Sequence, residues 1–185
     1  MALAVLLRGA HVRLTAVAPQ DLPVIARWFE DAAFMRLFDA VPAAPRTVEQ
    51  LTDWLGEMHK AKDGFLFGIR PEAGDEIIGY MELDGILWNQ GAGWISIGIG
   101  EEARRGQGLG RESMELALAF AFDELNLHRV QLTVFDYNTA AIALYERLGF
   151  RREGAFREFL HRDGRRYDML LYGILRPEWE ARRAG

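Results

Sequence analysis

A strand handed directly to a helix by a glycine-spaced basic loop constrains this chain more than any other feature. Residues Trp94 to Gly110 read WISIGIGEEARRGQGLG, and the helix-forming run RESMELALAFAFDEL follows at once. Arg104 and the segment Arg105-Gly106-Gln107-Gly108-Leu109-Gly110-Arg111 therefore sit where a strand gives way to a helix N-terminus. The first amides of a helix have no intrahelical acceptors, and the helix dipole adds a partial positive charge there. Glycines at 106, 108 and 110 remove the Cβ atoms that would hold a phosphate oxygen away from those amides. Each such charge-assisted contact is worth roughly 1.5–3 kcal/mol, so several together could hold a pyrophosphate. The spacing fits neither common phosphate loop. The third glycine falls one residue early for G-x-G-x-x-G, and Gly110-Arg111-Glu112 does not supply the G-K-[ST] of a P-loop. Taken alone, the segment reads equally as a tight β-to-α turn with basic residues facing solvent.

A second segment downstream shifts the balance. Arg129 to Val134 (RVQLTV) alternates and is rich in β-branched residues, which predicts a strand. Asn138 to Phe150 (NTAAIALYERLGF) predicts a helix, with Asn138 as its N-cap and Gly149 just past its end. Asn138 and Tyr145 are seven residues apart, which at about 100° per residue leaves them about 20° from a common face. That face can look toward the loop–helix unit.

The two motifs, R-x-x-G-x-G at Arg105–Gly110 and N-x-x-A-x-x-x-Y-E-x-x-G-F at Asn138–Phe150, resemble those of the GNAT superfamily of acyl-CoA N-acyltransferases. The closer likeness is to its RimJ/RimL-type branch, whose best-known members acetylate protein N-terminal amines. The run Gly154 to Tyr172, with its basic turn His161-Arg162-Asp163-Gly164-Arg165-Arg166, also fits that branch. The strong similarity covers residues 77 to 179. It implies an α+β fold: a central twisted mixed β-sheet flanked by helices, with a V-shaped splay between the fourth and fifth strands.

Composition sets the outer bounds. A chain of 185 residues, half of them hydrophobic, is long enough for one domain with a proper core. No repeat, low-complexity tract or linker divides it, so residues 1–185 are expected to form a single N-acyltransferase domain. The apolar run Met1–Leu7 is too short for a signal peptide or a membrane span, which makes a cytoplasmic protein the default. The absence of cysteine excludes disulfides and a cysteine-borne acyl intermediate. Four histidines, far apart in sequence, show no ligand spacing, so no metal is expected. A net charge of −5 argues against a nucleic-acid surface, while local arginine clusters suit a small polyanion. A homodimer is admitted as an assembly.

The remaining elements follow from periodicity and caps. A strand is expected over His11–Val17, and a helix from Pro19 to Glu30 with Leu22, Ile25, Ala26 and Phe29 on one face. Thr47 and Gln50 form a capping box for a helix through Lys60. Strands are expected at Phe65–Arg70 and Ile77–Asp84, and a last pair at Arg152–Leu160 and Arg165–Tyr172. In the second of these strands Met81 and Leu83 alternate with Tyr80, Glu82 and Asp84, giving one apolar face and one bearing two carboxylates.

For chemistry, the resemblance implies that the pantetheine arm of acetyl-CoA lies in the splay and pairs with the strand from Trp94, at Ile97, Gly98 and Ile99. Ser96, Gly98 and Gly100 leave one face of that strand bare, for a ligand or for a closely packed helix. The resemblance assigns Tyr145 to the departing coenzyme sulfur and Asn138 to orienting the coenzyme arm. A thiol near 8.5 against a phenol near 10 makes full proton transfer uphill by about 2 kcal/mol, so hydrogen bonding serves as well as protonation. Many relatives carry a base at the place of Ser96. Glu82 or Asp84 could replace it, through a water held by Ser96. Reaching the neutral amine at pH 7 costs about 4.6 kcal/mol for lysine but about 1 kcal/mol for an α-amine. The expected activity is transfer of acetyl from acetyl-CoA to a primary amine, either a protein N-terminus or a small molecule such as a polyamine or aminoglycoside. Trp88, in the loop Gly85–Gly93, lines the acceptor side or shields the core edge. A non-catalytic acyl-CoA-binding domain and, third, a nucleotide-binding enzyme are the rival readings.

Overall fold

The computed structural model describes residues 6–184, so most of the apolar run from Met1 to Leu7 lies outside the described residues. Strands β1 (Val12–Ala16), β2 (Phe65–Pro71), β3 (Gly79–Leu87), β4 (Ala92–Ile99), β5 (Arg129–Phe135), β6 (Arg151–Arg162) and β7 (Arg165–Leu175) form one sheet. Their spatial order is β1-β2-β3-β4-β5-β7-β6, antiparallel throughout except for the parallel pair β4–β5. That parallel pair is short. Ala92, Gly93 and Trp94 face Arg129, Val130 and Gln131, and beyond Trp94 the two strands part. On its other side β5 stays paired with β7 over its whole length, Arg129↔Leu175 to Phe135↔Met169. The fold is the mixed, splayed α+β sheet that the family resemblance implied.

Helices α1 (Leu22–Glu30), α2 (Ala32–Phe38) and α3 (Val48–Lys60) cover one face, and α4 (Leu109–Ala119) and α6 (Arg176–Ala184) the other; α5 (Thr139–Arg147) follows β5. Met81 and Leu83 of β3 and Ile95 of β4 pack with Met114 and Leu118 of α4 and, further along, Trp179 of α6. On the opposite face Leu22, Ile25 and Trp28 of α1, Phe34 of α2 and Leu51 and Leu55 of α3 close over Tyr80. Trp28, Phe38 and Trp54 ring that tyrosine at centroid distances of 6.3, 5.2 and 5.6 Å. The face of β3 expected to be polar is therefore a second core, with Tyr80 at its centre and the carboxylates at its margin.

The Thr47 hydroxyl accepts from the Gln50 amide at 3.2 Å and the Gln50 side chain returns the bond at 2.9 Å, as the capping box requires. The expected helix at Pro19 begins instead as a 3₁₀ turn (Pro19–Asp21) before α1. Its Asp21 is buried and takes two bonds from Arg70 of β2, at 2.8 and 2.7 Å. Helices α2 and α6 had no counterpart among the expected elements. Helix α4 ends in a π-turn, Phe120–Glu124, and the last two strands run longer than expected, to Arg162 and Leu175. No helix among the described residues is long and apolar enough to cross a membrane.

Side-chain size at two glycines fixes how closely α1 and α2 approach β4. A Cβ on Gly98 would stand 2.8 Å from the rings of Phe34 and Phe38, and one on Gly100 only 2.0 Å from the Trp28 ring. Gly100→Ala should therefore cost about 1–3 kcal/mol through forced repacking. Gly56→Ala, inside α3 with nothing within 4 Å of the new methyl, should gain about 0.5–1 kcal/mol. Urea denaturation of the two variants should show midpoints moving in opposite directions.

Candidate active site

Where β4 ends at Ile99, a 3₁₀ turn (Glu102–Arg104) leads into the glycine loop, and α4 begins at Leu109. Gly106 and Gly108 have φ of +73° and +82°, in the left-handed region where a side chain is strained, and Gly108 is the N-cap of α4. Nothing lies within 4 Å of a Cβ on either. These two glycines thus serve the backbone turn. Among the described residues, none of the amides from Gly106 to Arg111 donates to a protein acceptor. Six main-chain amides are thus left without a protein acceptor at the N-terminal end of a helix dipole, where an anion is favoured.

The side chains of the loop do less than the sequence suggested. Arg105 turns inward: its Nε donates to the Ile99 carbonyl at 2.9 Å and its Nη2 to the Gly100 carbonyl at 2.8 Å. Its guanidinium also lies 5.3 Å from the Phe34 ring centroid and 3.6 Å from Asp31. Arg104 pairs with Glu76 at 2.6 Å, the Gln107 side-chain Nε2 donates to the Ala103 carbonyl at 2.6 Å, and Arg111 pairs with Glu115 at 3.1 Å. Arg105 ties the end of β4 to the loop, and the loop presents main-chain amides rather than free arginines.

The splay opens a cavity of about 550 Å³ lined by Ile97, Gly98 and Ile99 of β4, the glycine loop, and Asn138 and Tyr145. Its volume and elongated lining, running from unpaired strand to free amides, fit a coenzyme arm ending in a diphosphate. The bare face at Gly98 and Gly100, weighed above as open to a ligand, is filled by the Trp28, Phe34 and Phe38 rings. Helix packing has taken it, because removing side chains there lets α1 and α2 seat directly on the strand. A ligand would meet the free edge of β4 rather than that face.

Tyr145 sits on the inner side of α5, 7% exposed, with its ring 5.9 Å from that of Phe150. Burial pushes its hydroxyl up to about 12. The hydroxyl has no hydrogen-bond partner among the described residues, and the ring lines both the large cavity and a smaller one of about 170 Å³. The end of α5 fixes it. The Phe150 amide donates to the Tyr145 carbonyl at 3.0 Å and the Gly149 amide to that of Glu146 at 3.0 Å, with Gly149 at φ +92°. That double bond is a Schellman cap. At the other end the Asn138 Oδ1 accepts from the Ala141 amide at 3.2 Å, the N-cap expected of it, while its Nδ2 donates to the Leu37 carbonyl of α2 at 3.3 Å.

Glu82 and Ser96 are direct cross-strand partners on β3 and β4. They share a third cavity, about 350 Å³, with Asp39, Arg46, Phe29, Phe38, Trp54 and Tyr80. Burial pushes the Glu82 carboxyl up to about 7, Asp84 and Asp39 push the same way, and Arg46 opposes them. Burial and Asp63 raise Asp84 as well. The small cavity below Tyr145 and the cavity at Glu82 have Phe38, Asp39 and Ser96 as common walls. Trp88 lies apart from this cavity, half exposed, its indole nitrogen donating to the Lys62 carbonyl at 3.1 Å.

Sequence reasoning missed the wall supplied by α2 and the segment after it: Phe34, Leu37, Phe38, Asp39 and Arg46. One signal was available. Asp31 stands immediately before AAFMRLF, and its carboxylate accepts from the Ala33 and Phe34 amides at 2.9 and 3.1 Å as the N-cap of α2. The C-terminal carbonyls of α2 are held from the β5–α5 loop and from the end of β6. The Tyr137 hydroxyl and the Arg162 guanidinium both donate to the Arg36 carbonyl, and Arg162 reaches the Asp39 carbonyl at 2.6 Å.

Comparison with known proteins agrees with this geometry. Residues 11–151 match the family described as the acetyltransferase (GNAT) domain. The SPbeta prophage-derived uncharacterized N-acetyltransferase YokL of Bacillus subtilis is 30% identical over 172 residues, 93% of this chain and 94% of that protein. The [ribosomal protein uS5]-alanine N-acetyltransferase of Escherichia coli is 28% identical over 126 residues, 68% of this chain and 64% of that one. Among solved structures, the spermidine N-acetyltransferase of Vibrio cholerae in complex with CoA and spermine superposes with a TM-score of 0.85 at 24% identity, over 93% of this chain and 99% of that one. The chain belongs to the GNAT acetyltransferase family, as an acyl-CoA-dependent N-acyltransferase that draws on acetyl-CoA.

Proposed function

We propose that this protein acetylates a primary α-amine, with Glu82 taking the proton and Tyr145 serving the departing sulfur. One observation carries the reading. The unbonded Tyr145 hydroxyl and the Glu82 carboxyl face two cavities that have Ser96, Phe38 and Asp39 as common walls. Acetyl-CoA supplies an acetyl thioester that a neutral amine can attack. The amides of Gly106, Gln107, Gly108, Leu109, Gly110 and Arg111 would hold its diphosphate, and Ile97, Gly98, Ile99 and Asn138 would flank its arm.

Glu82 accepts the proton that the acceptor nitrogen loses as the amide bond forms. A carboxyl near 7 is ionised in a useful fraction at neutral pH yet basic enough to hold a proton. Ser96, directly across the sheet, is placed to hand a water between the amine and Glu82. Tyr145 keeps its proton. A phenol raised to about 12 stands roughly 5 kcal/mol above a thiol near 8.5 for full transfer, so its part is a hydrogen bond to the developing charge. An α-amine near 7.8 matches a base near 7, whereas a lysine or polyamine amine above 10 asks several kcal/mol more of it. The likeness to a [ribosomal protein uS5]-alanine N-acetyltransferase supports the same choice.

Tyr145→Phe should lower kcat ten-fold or more, on a general-acid scale of roughly 10²–10⁴, while CoA affinity measured by calorimetry stays unchanged. Unaltered kcat removes the tyrosine from the mechanism. Glu82 works ionised, so wild-type kcat should fall as pH drops below about 7, and Glu82→Gln should be slower and lose that limb. The same substitution should raise the melting temperature more at pH 8 than at pH 5. The carboxyl lifted from 4.5 to about 7 carries a charging cost that is full above 7 and fades toward 4.5. Equal effects at the two pH values would contradict the half-buried, unpaired state of Glu82.

A further inference from the structure

The cavity at Glu82 also holds a cation that no described residue meets in a hydrogen bond or ion pair. Arg46 lines it, with its guanidinium carbon 4.6 Å above the centroid of the Phe29 ring. Most other arginines around the site are engaged: Arg36 with Asp163, Arg70 with Asp21, Arg104 with Glu76, Arg105 with two carbonyls, Arg111 with Glu115 and Arg162 with two carbonyls; Arg147, also unbonded, lines the coenzyme-sized cavity and not the one at Glu82. Arg46 makes no hydrogen bond or ion pair among the described residues, although it sits in the same cavity as Glu82 and Asp39. Asp39 is partly occupied, its Oδ1 accepting from the Val41 amide at 3.2 Å. Stacking on an aromatic face steadies a guanidinium in one plane and leaves its edge N–H donors free to meet a planar oxyanion.

An unpaired acid and an unpaired guanidinium facing one cavity of about 350 Å³ are complementary to a ligand that carries both charges. We infer that Arg46 recognises a carboxylate on the acceptor, so that the preferred acceptors are α-amines bearing a carboxylate a few bonds away. The inference rests on the acetyl-transfer reading above and narrows its acceptor. A free α-amino acid and a peptide N-terminus followed by an acidic residue both present this chemistry. A polyamine does not: besides the harder deprotonation of its amine, its remaining ammonium groups would face Arg46.

The test is thiol release from acetyl-CoA with matched acceptors. Alanine, serine and methionine are compared with their amides, peptides beginning Ala-Asp with peptides beginning Ala-Asn, and spermidine with all of them. The wild-type protein should favour the carboxylate member of at least one kind of pair by ten-fold or more in kcat/KM, chiefly through KM; which kind does so tells the free amino acid from the peptide. Arg46→Gln should bring that ratio close to one, and Arg46→Lys should keep part of it. Wild-type indifference to the carboxylate, spermidine as the best acceptor, or an Arg46→Gln variant slowed equally on both members of a pair would overturn the inference. Turnover of spermidine alone would leave acetyl transfer standing. If no acceptor releases thiol, acetyl transfer to these amines fails, and titration of the same pairs into CoA-loaded protein decides the point about Arg46: a preference for the carboxylate that is lost in Arg46→Gln supports it, and equal binding overturns it.

Discussion

Parallel pairing between β4 and β5 stops after Trp94, and the main cavity of the protein opens from that break. Parallel strands are ordinarily held along their length by slanted ladder bonds. Here β5 is committed to β7 on one side for its whole length, while β4 is committed to β3. The two halves of the sheet twist away from each other as sheets do, and the wedge between them becomes the groove. The glycine loop at the tip of β4 and the N-cap of α5 beyond β5 then stand on opposite banks of one opening.

The second constraint is the close seating of α1 and α2 on the glycine face of β4. Trp28, Phe34 and Phe38 occupy the space that side chains at 98 and 100 would have taken. This brings the C-terminal end of α2 over the strand, where Phe38 and Asp39 stand between the cavity below Tyr145 and the cavity at Glu82. Asn138 and Arg162 then hold that end from the other half of the sheet. This partition is thus held from both sides of the wedge. Burial beside it raises the Glu82 and Tyr145 pKa values, which suits one to hold a proton and the other to donate a hydrogen bond.

What the sequence made legible was whatever is encoded locally. The glycine loop, the N-cap at Asn138, the Gly149 terminus and the face shared by Asn138 and Tyr145 all depend on spacing within a dozen residues. The splay and the groove came through resemblance to a family. The part that stayed hidden depends on contacts distant in sequence. Arg105 looked like a free cation because nothing near it in sequence announces the Ile99 and Gly100 carbonyls as acceptors. Helix α2 is only Ala32–Phe38, too short for periodicity to declare it, and Asp39 and Arg46 gain meaning only once it folds over Glu82. Alternation in β3 correctly separated Met81 and Leu83 from Tyr80, Glu82 and Asp84, but the side it marked as wet is covered by three aromatic rings.

The doubly anchored α5 has a further consequence. Asn138 fixes where the helix starts and the Gly149–Phe150 cap fixes where it stops, so its length acts as a ruler for the tyrosine between them. One extra residue before Tyr145 would swing that side chain about 100° around the axis, carrying its oxygen out of the wedge and into the surrounding protein. Evolution can therefore redecorate the outer surface of this helix freely, yet has almost no latitude in the count of residues along it.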